Sequence, residues 1–218
     1  MIRIENVEKS YGAAPVLKAI NLEVRKGEFL SITGSSGSGK STLLNLIGAM
    51  DLPDRGRILI DGADIASSTD EELTSYRRKR VGFIFQFFNL LPNLTVFENI
   101  ELPLLLNDIG DRQRVAEMIR RVGLEGKEQE YPFRLSGGEQ QRVATARALI
   151  HNPDIILADE PTGSLDSRTG IAIMDLIKGL VEEQAKTVVL VTHEDHVARY
   201  ARRRVTLRDG MLFEEGGP

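Results

Sequence analysis

The sequence predicts an α/β fold: a mostly parallel core sheet, an N-terminal antiparallel β part and an inserted helical subdomain. Three observations carry that expectation. Two near-continuous apolar runs, Ile155-Ile156-Leu157-Ala158 and Val188-Val189-Leu190-Val191, have the character of parallel strands buried on both faces. Between them Ile173, Leu176, Ile177 and Leu180 recur at helical spacing, so strand, helix and strand follow in the order of a βαβ unit. Upstream, the short run Phe29-Leu30-Ser31-Ile32-Thr33 leads straight into a glycine-rich loop and then into the periodic apolar stretch Thr42 to Ile47.

The other elements follow along the chain. Ile2 to Val7, Leu17 to Val24 and Arg57 to Ile60 alternate or carry β-branched residues, with turns at Gly12, Lys26-Gly27 and Asp61-Gly62. Val81 to Phe85 reads as a further strand. From about Phe88 to Ile150 the pattern turns helical: Val115, Ile119 and Val122 share one face of Arg112 to Val122, and Val143, Ala146 and Leu149 share another. A single domain is expected over 1–218, with a core of 1–87 and 151–218 and a helical part at 88–150. A chain of 218 residues is within the reach of one domain.

Composition narrows the function. A net charge of −4 argues against a nucleic-acid surface, and the short basic runs Arg77 to Arg80 and Arg202 to Arg204 read as solvated faces. With no cysteine, disulfides and thiolate metal centres are excluded, which suits a reducing compartment. Met1 to Glu5 alternates apolar and charged residues and reads as a strand rather than a signal sequence. No window reaches the ~20 apolar residues of a spanning helix. The longest apolar-rich stretch, Ile100 to Leu106, is broken by Glu101 and Pro103, so a membrane role falls to a partner.

Gly34-Ser35-Ser36-Gly37-Ser38-Gly39-Lys40-Ser41 matches G-x-x-x-x-G-K-[ST] between a strand and a helix, the context in which that motif holds nucleotide phosphates. Its glycines let successive backbone N–H groups point inward, and the helix start adds partial positive charge. Lys40 is expected to reach the β- and γ-phosphates, the Ser41 hydroxyl to ligate Mg²⁺, and Thr42 to bond further back along the phosphate chain. Asp159-Glu160 closes the apolar run from Ile155, at the strand end where ligands of open α/β sheets bind. Asp159 is the candidate Mg²⁺ holder, and Glu160 is the candidate group that orients or deprotonates an attacking water. These motifs leave kinases, GTPases, motors and transport ATPases open.

Leu135-Ser136-Gly137-Gly138-Glu139-Gln140-Gln141-Arg142 resembles the signature sequence of ABC ATPases, and it precedes Asp159-Glu160 by a helix and a loop. Ser136 is a good N-cap and Gly137-Gly138 expose backbone N–H groups, so this is a second anion-ready helix start. A capped structural helix explains Ser136 but leaves two glycines that cost helix stability.

The resemblance implies an ABC-type P-loop NTPase fold and a head-to-tail homodimer, in which Ser136, Gly137, Gly138 and Glu139 meet the nucleotide of a second copy. It also implies that Tyr11 stacks on adenine, that Gln86 senses Mg²⁺ and the attacking water, that Asp166 lies at the dimer interface, and that His193 contacts the γ-phosphate. With glutamate at position 160, hydrolysis of ATP is expected.

Phe83 to Pro92 and Glu98 to Leu104 resemble the branch of the family that releases lipoproteins or exports macrolides. That branch pairs the ATPase with a separate integral membrane permease, and it places the chain in the cytoplasm on the inner face of the membrane. Closure around two ATP and reopening on hydrolysis would move the partner through the Gln86 region. The Leu106 to Arg114 connection is shorter than is usual in the family. The competing readings are an importer ATPase and a non-transport ABC ATPase; the long or zinc-bearing insertions of DNA-repair relatives are missing from this sequence.

Overall fold

The computed structural model describes residues 1–214. In chain order its elements are β1 Ile2–Tyr11, β2 Ala14–Val24, β3 Phe29–Thr33, α1 Lys40–Ile47, β4 Arg55–Ile60, β5 Ala63–Asp64, α2 Asp70–Arg80, β6 Val81–Phe85, α3 Val96–Leu105, α4 Arg112–Arg121, α5 Gly137–Leu149, β7 Ile155–Asp159, α6 Ser167–Glu183, β8 Thr187–Val191, α7 Asp195–Ala198, β9 Arg203–Arg208 and β10 Met211–Glu214.

These elements form two compact units. The first joins Met1–Arg77 to the residues from Ala185 onward, and the second is Arg78–Gln184. The sequence places the helical part at 88–150; in the structure β6, β7 and α6 group with those helices.

The first unit contains an antiparallel sheet in the order β2-β1-β4-β5, the expected N-terminal β part. Ile2, Ile4 and Val7 of β1 are buried while charged neighbours alternate outward, as a sheet with one dry face requires. Its other sheet strands place β3 parallel to both β8 and β9, with β10 antiparallel to β9. Every residue of β3 and of β8 is buried, which is why Val188 to Val191 reads as a near-continuous apolar run and why β3 admits only the small hydroxyls Ser31 and Thr33 among its apolar residues. In the second unit β6 and β7 pair in parallel, aligning Phe85 with Asp159. Because the register matches those positions, the residues that follow, Gln86 and Glu160, leave neighbouring strands at the same end.

Helix α2 carries signals that apolar periodicity does not catch. Helix α2, Asp-Glu-Glu-Leu-Thr-Ser-Tyr-Arg-Arg-Lys-Arg, buries only Leu73, so it has no apolar stripe. It is started instead by the Thr69–Glu72 box, in which the Thr69 N–H donates to Glu72 and the Glu72 N–H donates to Thr69 Oγ1. Helix α3 begins with the same device at Thr95 and Glu98 and tolerates Pro103 near its end. Strands β9 and β10 form a C-terminal hairpin around buried Val205 and Leu207. Arg203, read from the sequence as part of a solvated run, instead pairs with Glu28 and Glu214 and donates to Glu23 O at 2.7 Å. Those carboxylates, outweighing burial, raise its pKa above the ordinary arginine value.

Candidate functional site

The phosphate loop lies in the first unit. Gly34, Gly37 and Gly39 have φ of 150°, 77° and 103°, so the loop turns through backbone conformations that side chains resist. At Gly34 the constraint is also steric: a Cβ there would lie 2.2 Å from Leu207 O and 2.8 Å from Ser38 Oγ. Helix α1 starts behind Gly39 with no side-chain cap, so its first-turn N–H groups face the loop without a competing side-chain oxygen. Lys40 is buried, and its ammonium folds over the loop to donate to Gly34 O (2.8 Å) and Ser35 O (3.0 Å). Ser38 Oγ is buried and has no hydrogen-bond partner among the described residues.

A rigid cradle, a cation and an orphaned hydroxyl suit a polyphosphate. Ser35, Ser36, Gly37 and Ser41 are exposed, and Thr42 is half-buried. Two further candidates of this unit, Tyr11 and His193, are both exposed; Tyr11 lies at the end of β1, not beyond it as the sequence suggests, and His193 follows β8.

The second unit carries the remaining candidates. Strand β7 ends at Asp159, and Glu160 takes φ 46°, a left-handed conformation rare for glutamate. The fold holds it there: Glu160 O accepts from Gly163 N, and Pro161 and Thr162 are buried. Gln86 leaves β6 half-buried; Ser164 Oγ donates to its carbonyl at 2.8 Å, and a Cβ on Gly163 would stand 2.9 Å from its side-chain nitrogen. Thus the Gln86 segment and the Gly163-Ser164 turn are packed together, a contact that sequence separation hides. No group of three or more His, Cys, Asp or Glu that could hold a metal occurs among the described residues. The metal candidates Ser41, Gln86 and Asp159 are a hydroxyl, an amide and one carboxylate, hard oxygen donors of the kind Mg²⁺ takes alongside phosphate oxygens and water.

The second helix start forms as the sequence predicts. Ser136 caps α5, its Oγ accepting from Glu139 N, while the Glu139 carboxylate accepts from Ser136 N at 2.9 Å. Glu139 also pairs with Lys127, and these bonds, Lys127 first, hold its carboxyl below the ordinary glutamate range. The two glycines turn out to have a structural reason of their own. A Cβ on Gly138 would approach Thr169 Cγ2 to 2.6 Å, and one on Gly137 would approach Leu165 Cδ2 to 3.2 Å, so part of what they do is admit the start of α6. Asp166 caps that helix, accepting from Thr169 Oγ1 at 2.6 Å and from the Thr169 and Arg168 N–H groups, which lower its pKa.

Sequence reasoning passes over Gln141 and Arg147. Gln141 is fully buried, and its amide donates to Pro161 O at 2.8 Å and Phe85 O at 3.3 Å, bracing the backbone beside Glu160 and Gln86. Arg147 donates to Phe88 O and Asn89 O, holding two residues with φ of 60° and 48° just after Gln86, and burial lowers its pKa. A polar residue on the buried face of α5 is the one sequence signal that marks Gln141.

Residues 17–163 match the family model described as ABC transporter. The ABC transporter ATP-binding protein MJ0796 of Methanocaldococcus jannaschii is 50% identical over 226 residues, covering 99% of this chain and 96% of that protein. The macrolide export ATP-binding/permease protein MacB of Escherichia coli is 44% identical; the alignment covers 100% of this chain but 34% of MacB. MJ0796 has been solved as a dimeric ABC transporter cassette, with TM-score 0.90 at 48% identity, and as a dimeric post-hydrolysis state bound to ADP and Pi, with TM-score 0.91 at 47% identity; each covers 100% of both chains.

Proposed function

Because the chain belongs to the ABC transporter family, we propose that it is the ATP-binding and ATP-hydrolysing subunit of a transporter, working as a head-to-tail homodimer beside a separate membrane permease. The observation that carries this reading is the Gly34–Thr42 loop: left-handed glycines, an uncapped helix start and the ammonium of Lys40 on one turn of backbone. The dimeric, ADP- and Pi-bound relative supports both hydrolysis and pairing. The likeness to MacB supports export and a membrane partner, although this chain spans about a third of that protein. No helix among the described residues is long and apolar enough to cross a membrane, so attachment to the inner face would run through the permease.

In this reading the loop N–H groups and Lys40 grip the β- and γ-phosphates, and Tyr11 stacks on the base. Ser41, Asp159 and Gln86 would hold Mg²⁺, which when bound neutralises charge between those phosphates. Glu160 accepts the proton of an in-line water, while His193 touches the γ-phosphate. Ser136 and the Gly137-Gly138 N–H groups of the second copy close over the same phosphate, and Asp166 fixes the start of α6 beside them. Loss of the γ-phosphate removes the shared contact, so the copies part and the Gln86 region passes the motion to the permease.

Phosphate release and sedimentation test the proposal together. Glu160→Gln should slow release about 100-fold or more and leave an ATP-dependent dimer that persists. Equal rates would remove Glu160 from the chemistry. A protein that stays monomeric with ATP, even beside its permease, would end the sandwich model.

A further inference from the structure

Tyr11 ends β1 at the tip of the β1–β2 hairpin and is 52% exposed, yet its ring is tied on several sides. Its hydroxyl donates to Asp51 Oδ2 at 2.8 Å. The other oxygen of Asp51 accepts from Lys9 Nζ and from Leu52 N, each at 2.7 Å. Lys9 is buried, donates as well to Leu52 O at 2.7 Å, and lies 3.7 Å from Asp54. Its ammonium sits over the Tyr11 ring, 5.3 Å from the centroid.

Burying a lysine is costly, and here three oxygens compensate it. The structural return is that an exposed ring on a hairpin loses its rotameric freedom. One face lies under a cation, and the opposite face is the one left to present. Burial alone would raise the Asp51 pKa, but the bonds from Lys9 and Tyr11 outweigh it and hold the carboxylate below the ordinary range. Burial likewise opposes the charge on Lys9, yet Asp51 keeps its pKa raised.

We propose that Asp51, with Lys9, is a positioning residue for nucleotide binding, locking Tyr11 so that one ring face is preset for the base. The inference rests on the reading of Tyr11 as the residue that stacks on adenine. A preset ring spares the ordering cost of one side chain on binding, so releasing it should weaken ATP about 3- to 10-fold. Stacking does not read base edges, so GTP should weaken in parallel.

Equilibrium binding of Mg-ATP and of Mg-tripolyphosphate, which has no base, separates the possibilities, with thermal melting to confirm that each variant folds. Asp51→Ala should lose affinity for ATP by that factor while tripolyphosphate changes less than about 2-fold. Tyr11→Phe, which keeps the ring but not the tie, should match it, and the double variant should be no weaker than either single one. Asp51→Asn, which keeps an acceptor for the hydroxyl, should recover most of the ATP affinity. Equal weakening of ATP and tripolyphosphate would overturn the proposal, because Asp51 would then be shaping the phosphate loop. If Tyr11→Ala weakens ATP but Asp51→Ala does not, the positioning role fails and stacking stands. If Tyr11→Ala leaves ATP binding unchanged, the stacking reading itself falls, and the role of Asp51 with it.

Discussion

Replacing Gln141 with leucine separates the stability of the second unit from its chemistry. The side chain is fully buried in α5, and a single amide nitrogen serves the carbonyl one residue before Gln86 and the carbonyl one residue after Glu160. Leucine keeps the volume but removes both bonds. Leaving the buried Pro161 carbonyl without its donor costs about 1–3 kcal/mol, and losing the longer bond to Phe85 costs under about 1 kcal/mol. Against this, Gln141 Oε1 is itself buried with no partner among the described residues, and deleting it returns about 1–2 kcal/mol.

The central values leave a net loss of about 1 kcal/mol, a fall in Tm of about 2–4 °C for a chain of this size. The effect on turnover should be larger. Catalytic groups must be held to within about 0.5 Å, and a misplacement of about 1 Å costs on the order of 100-fold, so ATPase activity should fall at least about 10-fold. Nucleotide affinity at the Gly34–Thr42 loop should change less than about 2-fold, because Gln141 bonds only within its own unit. Phosphate release, calorimetric binding and thermal melting measure the three quantities. Wild-type turnover with the expected loss of Tm would show that the brace serves stability alone. A raised Tm would show that the bond to Pro161 is worth less than the orphaned oxygen beside it.

Two further outcomes follow from local geometry. Gly34→Ala should abolish nucleotide binding, because its Cβ collides with Leu207 backbone, whereas Gly37→Ala meets no atom within 4 Å and should lose only the about 1–2 kcal/mol of left-handed strain; calorimetric titration with ATP distinguishes them. Acid unfolding followed by circular dichroism should report the helix-start carboxylates. Glu98 is held below its ordinary pKa by the Thr95 N–H, and Glu139 by Lys127 and then Ser136. A depressed folded pKa gives stability that is complete above the unfolded value of about 4.3 and lost as pH falls through the lower folded value. Glu98→Gln and Glu139→Gln should therefore flatten the loss of stability below about pH 5, and an unchanged slope would assign acid unfolding to other groups.

The strands and the phosphate loop were legible because their causes are local. Strand β3 follows from five buried residues in a row, and the loop follows from glycines at positions that need φ above zero. Capping at Ser136 was legible for the same reason, since the bond spans three residues. Helix α2 was not, because its amphipathic stripe shrinks to Leu73 and its caps and charges do the rest. Hairpin β9–β10 was masked by Arg203, whose partners, the Glu28 carboxylate and the Glu23 carbonyl, lie far back in the chain.

What the sequence by itself determined is the chemistry on offer: a phosphate cradle, a strand-end carboxylate pair and a serine-glycine helix start, each encoded within a few consecutive residues. What only the tertiary structure decided is how those groups are held. Gln141 reaching Phe85 and Pro161, Gly138 yielding to Thr169, and Asp51 tying down Tyr11 all join residues tens of positions apart. Hydrogen bonds and van der Waals contacts act over a few ångströms of space, and a linear sequence does not reveal which distant residues the fold will bring within that range.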